Sequence, residues 1–413
     1  MTVQSGAHAR GMVVVGGGVA AAKAVETLRS EGHTGPVTVL SAEPLLPYDR
    51  PPLSKQVLKG DDEPDSTTLL DQAWYVQHDV DVRLGVPASG LDTDAHLVRT
   101  ADGDELGYER LLLATGSKVR TLPVPGADLP GVLTLRSLAD SVRLRDAFAE
   151  RPRVVVVGAG WIGLEVAAAA RQHGAEVTVV SPQAPLVGVL GSRLSDVFAA
   201  AHRDAGVDLR IGPGVAEIRG TDTVQALVTD DGAVLPADLV VVGVGVSPHL
   251  ELAGGLALDD ATGGVRVDAG LRTSAPDVFA AGDIASWPCT PLGGRRMRVE
   301  HWANAHDGGV AAARAMLGQD VAFDVLPFFW SDQYELGMEY VGHVASLDAA
   351  QVVTRGDVEG AEFMAFWVVD GQVDAGMHVN VWDTVDDIQA LVRSRRVVDT
   401  GRLADPDIAL ADV

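Results

Sequence analysis

RVVVVGAGWIGLEVAAAARQHG (153–174), followed by VTVVSPQ (177–183), decides the fold, because an earlier stretch of the chain carries the same pattern. There GMVVVGGGVAAAKAVETLRSEG (11–32) is followed by VTVLSAE (37–43). Each copy reads as a buried strand, a glycine-rich turn, an alanine-rich helix and a second buried strand. That is the opening βαβ of a dinucleotide-binding fold. The first turn carries Gly16, Gly18 and Ala21 as G-x-G-x-x-A, and the second carries Gly158, Gly160 and Gly163 as G-x-G-x-x-G. Glycine is needed because the turn is tight and the backbone must approach a pyrophosphate seated on the helix N-terminus.

One such turn can serve packing alone. Two turns, each between a strand and a helix, imply two nucleotides held for one reaction, most simply a flavin and a nicotinamide. The ribose-binding acid belongs at the end of the second strand. Glu43 suits that place in the first copy. In the second, the strand ends in Ser181, Glu176 lies at the wrong end, and the next arginine beyond it is Arg193, so NADH and NADPH are not told apart.

The rest of the composition narrows the class. A chain of 413 residues holds two or three domains and buries a sizeable core. Its net charge of −25 argues against a nucleic-acid partner and against docking on anionic lipid. The apolar run 12–25 is broken by Gly16, Gly17, Gly18 and Lys23, so it is no membrane span, and MTVQSGAHAR has no signal-peptide core. A cytoplasmic location is the expectation. With one cysteine, Cys289, neither a disulfide framework nor a Cys-rich metal site can form within the chain, and no metal is expected.

Between the two nucleotide units, LPVPGADLPG (122–131) reads as a linker. A helix is expected over LSDVFAAAHRDAG and another over 303–317, with VFAAGDIASW (278–287) between them. From about 326 onward, aromatic-rich strand patterns and the helix TVDDIQALVRS, with a Thr384–Asp387 capping box, read as a small α+β domain. DTGRLADPDIALADV reads as a loosely packed tail. YDRPPLSK (48–55) places a lysine after two prolines that stiffen the backbone and remove donors.

In order along the chain, YDRPPLSK, LLLATGS (111–117), GWIGLE (160–165), AAGDIASW (280–287), VEHW (299–302) and FFWSDQY (328–334) resemble the flavin-dependent ferredoxin reductases that serve oxygenases. The resemblance covers roughly 5–405. It implies an α/β, glutathione-reductase-like flavoprotein with two dinucleotide-binding domains. An FAD-binding domain (1–121 and 246–325) is split by an NAD(P)H-binding domain (122–245), and a small α+β C-terminal domain (326–413) roofs the flavin. It places Gly16, Gly18, Ala20, Thr115, Gly116 and Asp283 against one non-covalent FAD, together with Glu43, Arg50, Lys55, Ala88, Arg136, Glu300, Trp302 and Trp330. It places Gly158, Gly160, Ile162, Gly163, Glu165, Ser181 and Gly245 at NAD(P)H, with NADH favoured. It further implies that Lys55 pairs with Glu165, the lysine charge stabilising electron density arriving on the flavin.

Disulfide oxidoreductases of the same fold need a cysteine pair after the first βαβ unit, and SAEPLLPYDRPPLSK (41–55) has none. Cys289 reads as a small buried hydrophobe. Electrons are therefore expected to pass directly from flavin to acceptor. A [2Fe–2S] ferredoxin serving an oxygenase is the first expectation. The alternatives are an oxidoreductase acting directly on a small molecule, quinone or O2, and a flavin-bound interaction protein. An acidic ferredoxin would need a local basic patch, for which Arg295, Arg296 and Arg298, or Arg393, Arg395 and Arg396, are the candidates.

Overall fold

The computed structural model describes residues 10–413, which form two compact units. One comprises the chain up to Asp49 with Thr67–Ser117 and Pro248–Pro327; the other comprises Arg50–Ser66, Lys118–Ser247 and Phe328–Val413.

The first unit is built on five parallel strands in the order Val80–Arg83, Val37–Leu40, Gly11–Val15, the second half of Glu105–Leu113, and Val278–Ala280. The central strand GMVVV is buried along its whole length, which is why it reads as an unbroken apolar run. Strand order reverses beside Gly11–Val15, so a crevice opens at the carboxyl edge there, where ligands of open α/β sheets bind. Four sequence-distant turns meet that edge: 16–18, 41–43, 114–116 and 281–283. The first half of Glu105–Leu113 continues into an antiparallel meander with Leu97–Thr100 and Ala88–Asp92.

The second unit repeats the parallel plan. Its strands run in the order Asp208–Ile211, Glu176–Ser181, Arg153–Val157, Leu239–Val242 and Val132–Leu133. It also holds a five-stranded antiparallel sheet in the order Phe328–Gln333, Leu336–Gly342, Gln372–Val379, Glu362–Val369, Gln351–Asp357. One apolar core joins the two sheets, running from Val154, Leu164 and Phe198 to Met338, Tyr340 and Trp367. At the seam the Trp161 ring meets Phe329 edge-on at 5.2 Å and Phe198 at 5.7 Å.

Two local expectations are corrected. Thr384 does precede the helix Val385–Ser394, but its backbone is already helical and its hydroxyl donates to the Val381 carbonyl, so no capping box forms. The tail is not loose. Asp399 caps the short helix Thr400–Ala404, Leu403 and Leu410 are buried, and Arg355 and Arg396 donate to the carbonyls of Pro406, Ile408, Leu410 and Ala411. Among the described residues, no helix is long and apolar enough to cross a membrane.

Helices Val19–Ser30 and Trp302–Met316 approach so closely that a Cβ on Gly309 would lie 2.4 Å from the Ala20 carbonyl oxygen. Gly309→Ala should therefore destabilise the protein by about 1–3 kcal/mol through overpacking. Gly254→Ala, where a Cβ meets nothing within 4 Å, should stay within about 0.5 kcal/mol. Denaturant midpoints of the two variants check this.

Candidate active site

In the first unit the glycine turn divides its labour by residue. Gly16 has φ +149°, and a Cβ there would sit 2.1 Å from the Ala114 carbonyl oxygen; on Gly17 it would sit 2.3 Å from Ser41 Oγ. Those two glycines let the turn pack against its neighbours. A Cβ on Gly18 would meet nothing within 4 Å. Gly18 caps the helix Val19–Ser30 without a side-chain bond, and the first turn has no acid. Its leading N–H groups and positive dipole end are thus offered to an anion. Ala20 is buried beneath Gly309 and shows only backbone on that side.

The other three turns surround this one. Ala114 N–H donates to the Val15 carbonyl, Thr115 Oγ1 donates to the His249 carbonyl at 2.8 Å, and Gly116 has φ +65°. Asp283 is buried in the turn Gly282–Ile284. Glu43 lies three residues beyond the strand end at Leu40, and its Oε2 accepts from the Tyr48 hydroxyl at 2.5 Å. Ala88 opens its strand just after Gly85 and Val86, which donate to the Glu43 and Ser41 carbonyls. Trp302 begins its helix and donates through Nε1 to Asp49 at 2.6 Å. Glu300 is exposed and accepts from Arg298 at 2.5 Å.

In the second unit the proline-rich segment forms a 3-10 turn, Pro51–Ser54, whose prolines open it. Ser141 Oγ donates to the Leu53 carbonyl and Arg50 donates to the Arg136 carbonyl at 2.6 Å, so Arg50 and Arg136 come together. Lys55 and Glu165 also come together, with 5% and 3% of their surfaces exposed and Nζ 2.9 Å from Oε1. Ser331 donates to the same carboxylate oxygen at 2.6 Å, and Ser54 donates to Oε2 at 2.5 Å. Three donors on one buried carboxylate offset much of the cost of removing its charge from water. Ser54 and Ser331 escaped sequence reasoning, although both lie inside motifs that it singled out, PPLSK and WSDQ.

The second glycine turn repeats the first. A Cβ on Gly158 (φ +105°) would lie 2.4 Å from the Gly243 carbonyl oxygen, and one on Gly163 would lie 2.2 Å from the Gly158 carbonyl oxygen. On Gly160 it would meet nothing within 4 Å, and Gly160 too caps its helix without a side chain. Ile162 stands 47% exposed beside this opening. Ser181 ends its strand and accepts from the Gln183 N–H through Oγ at 3.4 Å; Gly245 (φ +95°) accepts from the Arg120 N–H. Trp330 stacks on Phe328 with ring centres 6.1 Å apart.

Arg296, Arg298, Arg395 and Arg396, among the candidate docking arginines, are held by groups of their own units. Arg296 donates to the Val267 and Ser286 carbonyls, and burial, with Arg266 nearby, lowers its pKa. Arg298 holds the Thr262 and Asp283 carbonyls, Arg395 holds Asp374 and Gln372, and Arg396 holds the Leu410 and Ala411 carbonyls. Arg393 is exposed. Cys289 is buried, and its thiol donates to the Val325 carbonyl at 3.4 Å. No group of three or more potential metal ligands occurs among the described residues.

Lys55→Met leaves the buried Glu165 carboxyl with hydroxyl donors alone, and should cost about 3–5 kcal/mol. Lys55→Met combined with Glu165→Gln should recover most of that loss. A double variant as unstable as the sum of its two singles would show that the residues do not interact.

Residues 10–309 match the family described as pyridine nucleotide-disulphide oxidoreductase, and residues 328–413 match that described as reductase C-terminal. The chain is 40% identical to rhodocoxin reductase of Rhodococcus erythropolis, over 86% of its length and 83% of the relative's. It is 39% identical to the ferredoxin–NAD(+) reductase component of the anthranilate 1,2-dioxygenase system of Burkholderia cepacia, over 96% and 98% of the two chains. Among solved structures, a chain of the covalent putidaredoxin reductase–putidaredoxin complex superposes with a TM-score of 0.92 at 32% identity, covering 97% of each chain.

Proposed function

The chain belongs to the pyridine nucleotide-disulphide oxidoreductase family, and we propose that it passes electrons from NAD(P)H by way of FAD to a [2Fe–2S] ferredoxin that serves an oxygenase. One observation carries the reading: two helices open on uncapped glycines with room for a nucleotide, while the chain's single cysteine is buried and held by a backbone carbonyl. Thiol relay within the chain is thereby excluded, so electrons leave without a disulfide. The names of the relatives, reductases of ferredoxins or of a dioxygenase system, support the same acceptor class.

The residues present fit FAD, because Gly18 leaves space at a helix end that has donors but no acid. Gly16, Gly18 and Ala20 would hold its pyrophosphate, Glu43 a ribose, and Thr115, Gly116 and Asp283 the remainder of the chain. Arg50, Ala88, Arg136, Glu300, Trp302 and Trp330 complete the assignment. FAD, when bound, supplies the ability to take two electrons as hydride and release them singly. Gly158, Gly160, Ile162, Gly163, Ser181 and Gly245 would hold NAD(P)H. Lys55 carries a fixed positive charge that favours added electron density, and Glu165 makes that charge tolerable in a buried site. We assign 1–121 with 246–325 to FAD, 122–245 to NAD(P)H and 326–413 to a C-terminal domain, working in the cytoplasm with NADH favoured.

Gly18→Ala and Gly160→Ala should be tolerated by the fold, since neither Cβ meets an atom within 4 Å. Gly18→Ala should lower FAD content, and Gly160→Ala should raise the KM for NADH at unchanged FAD content. Full FAD occupancy in Gly18→Ala would overturn the pyrophosphate assignment.

The acceptor is tested by steady-state assays of NADH and NADPH against a [2Fe–2S] ferredoxin, a neutral quinone and O2. Ferredoxin should be the best acceptor and NADH the better donor, and only ferredoxin reduction should respond to salt, falling where local attraction governs docking and rising where long-range repulsion does. Arg393→Glu is the docking variant to make in this run, because Arg393 is exposed while Arg395 holds the Asp374 and Gln372 side chains and Arg396 holds backbone carbonyls. A quinone or O2 preferred over ferredoxin would favour the direct oxidoreductase reading, to which the net charge of −25 already lends weight.

A further inference from the structure

His202 is a fully buried ionisable side chain in the last turn of helix Ser192–Asp204. A buried imidazole is costly unless its nitrogens are engaged. Its Nε2 lies 3.0 Å from Gln333 Oε1, and its Nδ1 makes a longer contact, 3.4 Å, with the Tyr334 hydroxyl. Gln333 is also buried, and its Nε2 donates to Ser331 Oγ at 3.0 Å. Ser331 in turn donates to Glu165 Oε1 at 2.6 Å, the oxygen that Lys55 contacts.

The sense of every bond follows from the last. An ionised carboxylate only accepts, so the single Ser331 proton points at Glu165. Ser331 Oγ must then accept from Gln333, which turns the Gln333 carbonyl toward His202. That carbonyl needs a donor, so His202 carries its proton on Nε2 and presents Nδ1 as an acceptor. Burial lowers the His202 pKa, against the opposing Gln333 bond, and pushes the Tyr334 phenol up to about 12. The imidazole is therefore neutral and the phenol a donor. Tyr334 holds its place in a hairpin turn with φ +54°, a conformation that bulky side chains rarely adopt.

We propose that His202 is a positioning residue which, through Gln333 and Ser331, fixes the direction of the hydroxyl supporting the Glu165 carboxylate, and with it the counter-charge of Lys55. The chain orients but does not conduct protons, since Gln333 accepts on oxygen and donates on nitrogen. Without the Nε2 proton the Gln333 amide gains by turning over. Its oxygen then faces Ser331, whose hydroxyl has two competing acceptors, and Glu165 loses part of one donor.

The functional weight of this relay rests on the reading of Lys55 above, so two separate readouts are needed. In FAD-loaded protein with isotope-labelled histidine, nitrogen NMR should find His202 as the Nε2–H tautomer at neutral pH, and Gln333→Met should shift it toward Nδ1–H. An Nδ1–H tautomer or an imidazolium in the unaltered protein overturns the proposal, and this holds even if the variants fail to fold. In rapid mixing with NADH, His202→Met should slow flavin reduction roughly tenfold, the weight of one lost buried hydrogen bond, with NADH affinity unchanged. His202→Gln, which keeps a side-chain N–H donor, should restore most of the rate. No loss in His202→Met, or equal loss in both variants, overturns the proposal. If Lys55→Met itself leaves reduction unchanged, the reading of Lys55 fails instead, and the tautomer alone decides whether the relay stands.

Discussion

A carboxylate taken out of water sets the terms for the second unit. Glu165 lies on the helix that the glycine turn begins, and its charge is answered by Lys55 and two hydroxyls, all buried. Isolated burial of such a charge would cost many kcal/mol, and a lone ion pair does not reliably offset it. Three donors from two other parts of the chain do better, and they tie the proline turn and the strand Phe328–Gln333 to that helix. Prolines that stiffen Pro51–Ser54 reduce the freedom that must be lost to hold Ser54 and Lys55 in place.

The glycine turns solve a different problem by the same division of labour in both units. Gly16 and Gly158 have positive φ and stand against carbonyl oxygens, so a side chain is barred by both conformation and space. Gly18 and Gly160 have ordinary extended backbones and open space, so their lack of a side chain matters only to something not part of the protein. A packing turn would need the first kind of glycine and not the second. The open pair therefore argues for ligands more strongly than the spacing of the motif does.

Legibility followed the range of the interaction. The βαβ repeat was readable because apolar strands, glycines and alanines mark local geometry within some thirty residues. The pairing of Lys55 with Glu165 crosses 110 positions and came from resemblance alone. Ser54, Ser331, Gln333 and His202 were invisible as a group, since a buried polar residue and an exposed one look alike in a sequence. Thr384 failed as a capping residue because its own backbone turns helical. The tail looked loose because its anchors, Arg355 and Arg396, are arginines whose reach to distant carbonyls leaves no pattern.

The same use of arginine alters what the charge of −25 means. Formal counts treat Arg296, Arg298, Arg395 and Arg396 as available positive surface, yet their guanidinium groups are turned onto carbonyls and carboxylates within their own units. A guanidinium used as a multidentate brace still carries charge, but fewer of its N–H groups face a partner, and a neighbouring acid such as Asp374 or Glu300 cancels part of its field. An acidic carrier approaching this protein thus meets long-range repulsion with little local basic relief. Association must then depend on short-range contact or on a few exposed cations such as Arg393, a regime in which added salt, by screening the repulsion, acts against the loss of local attraction. The sign of the salt effect reports which of the two fields governs docking.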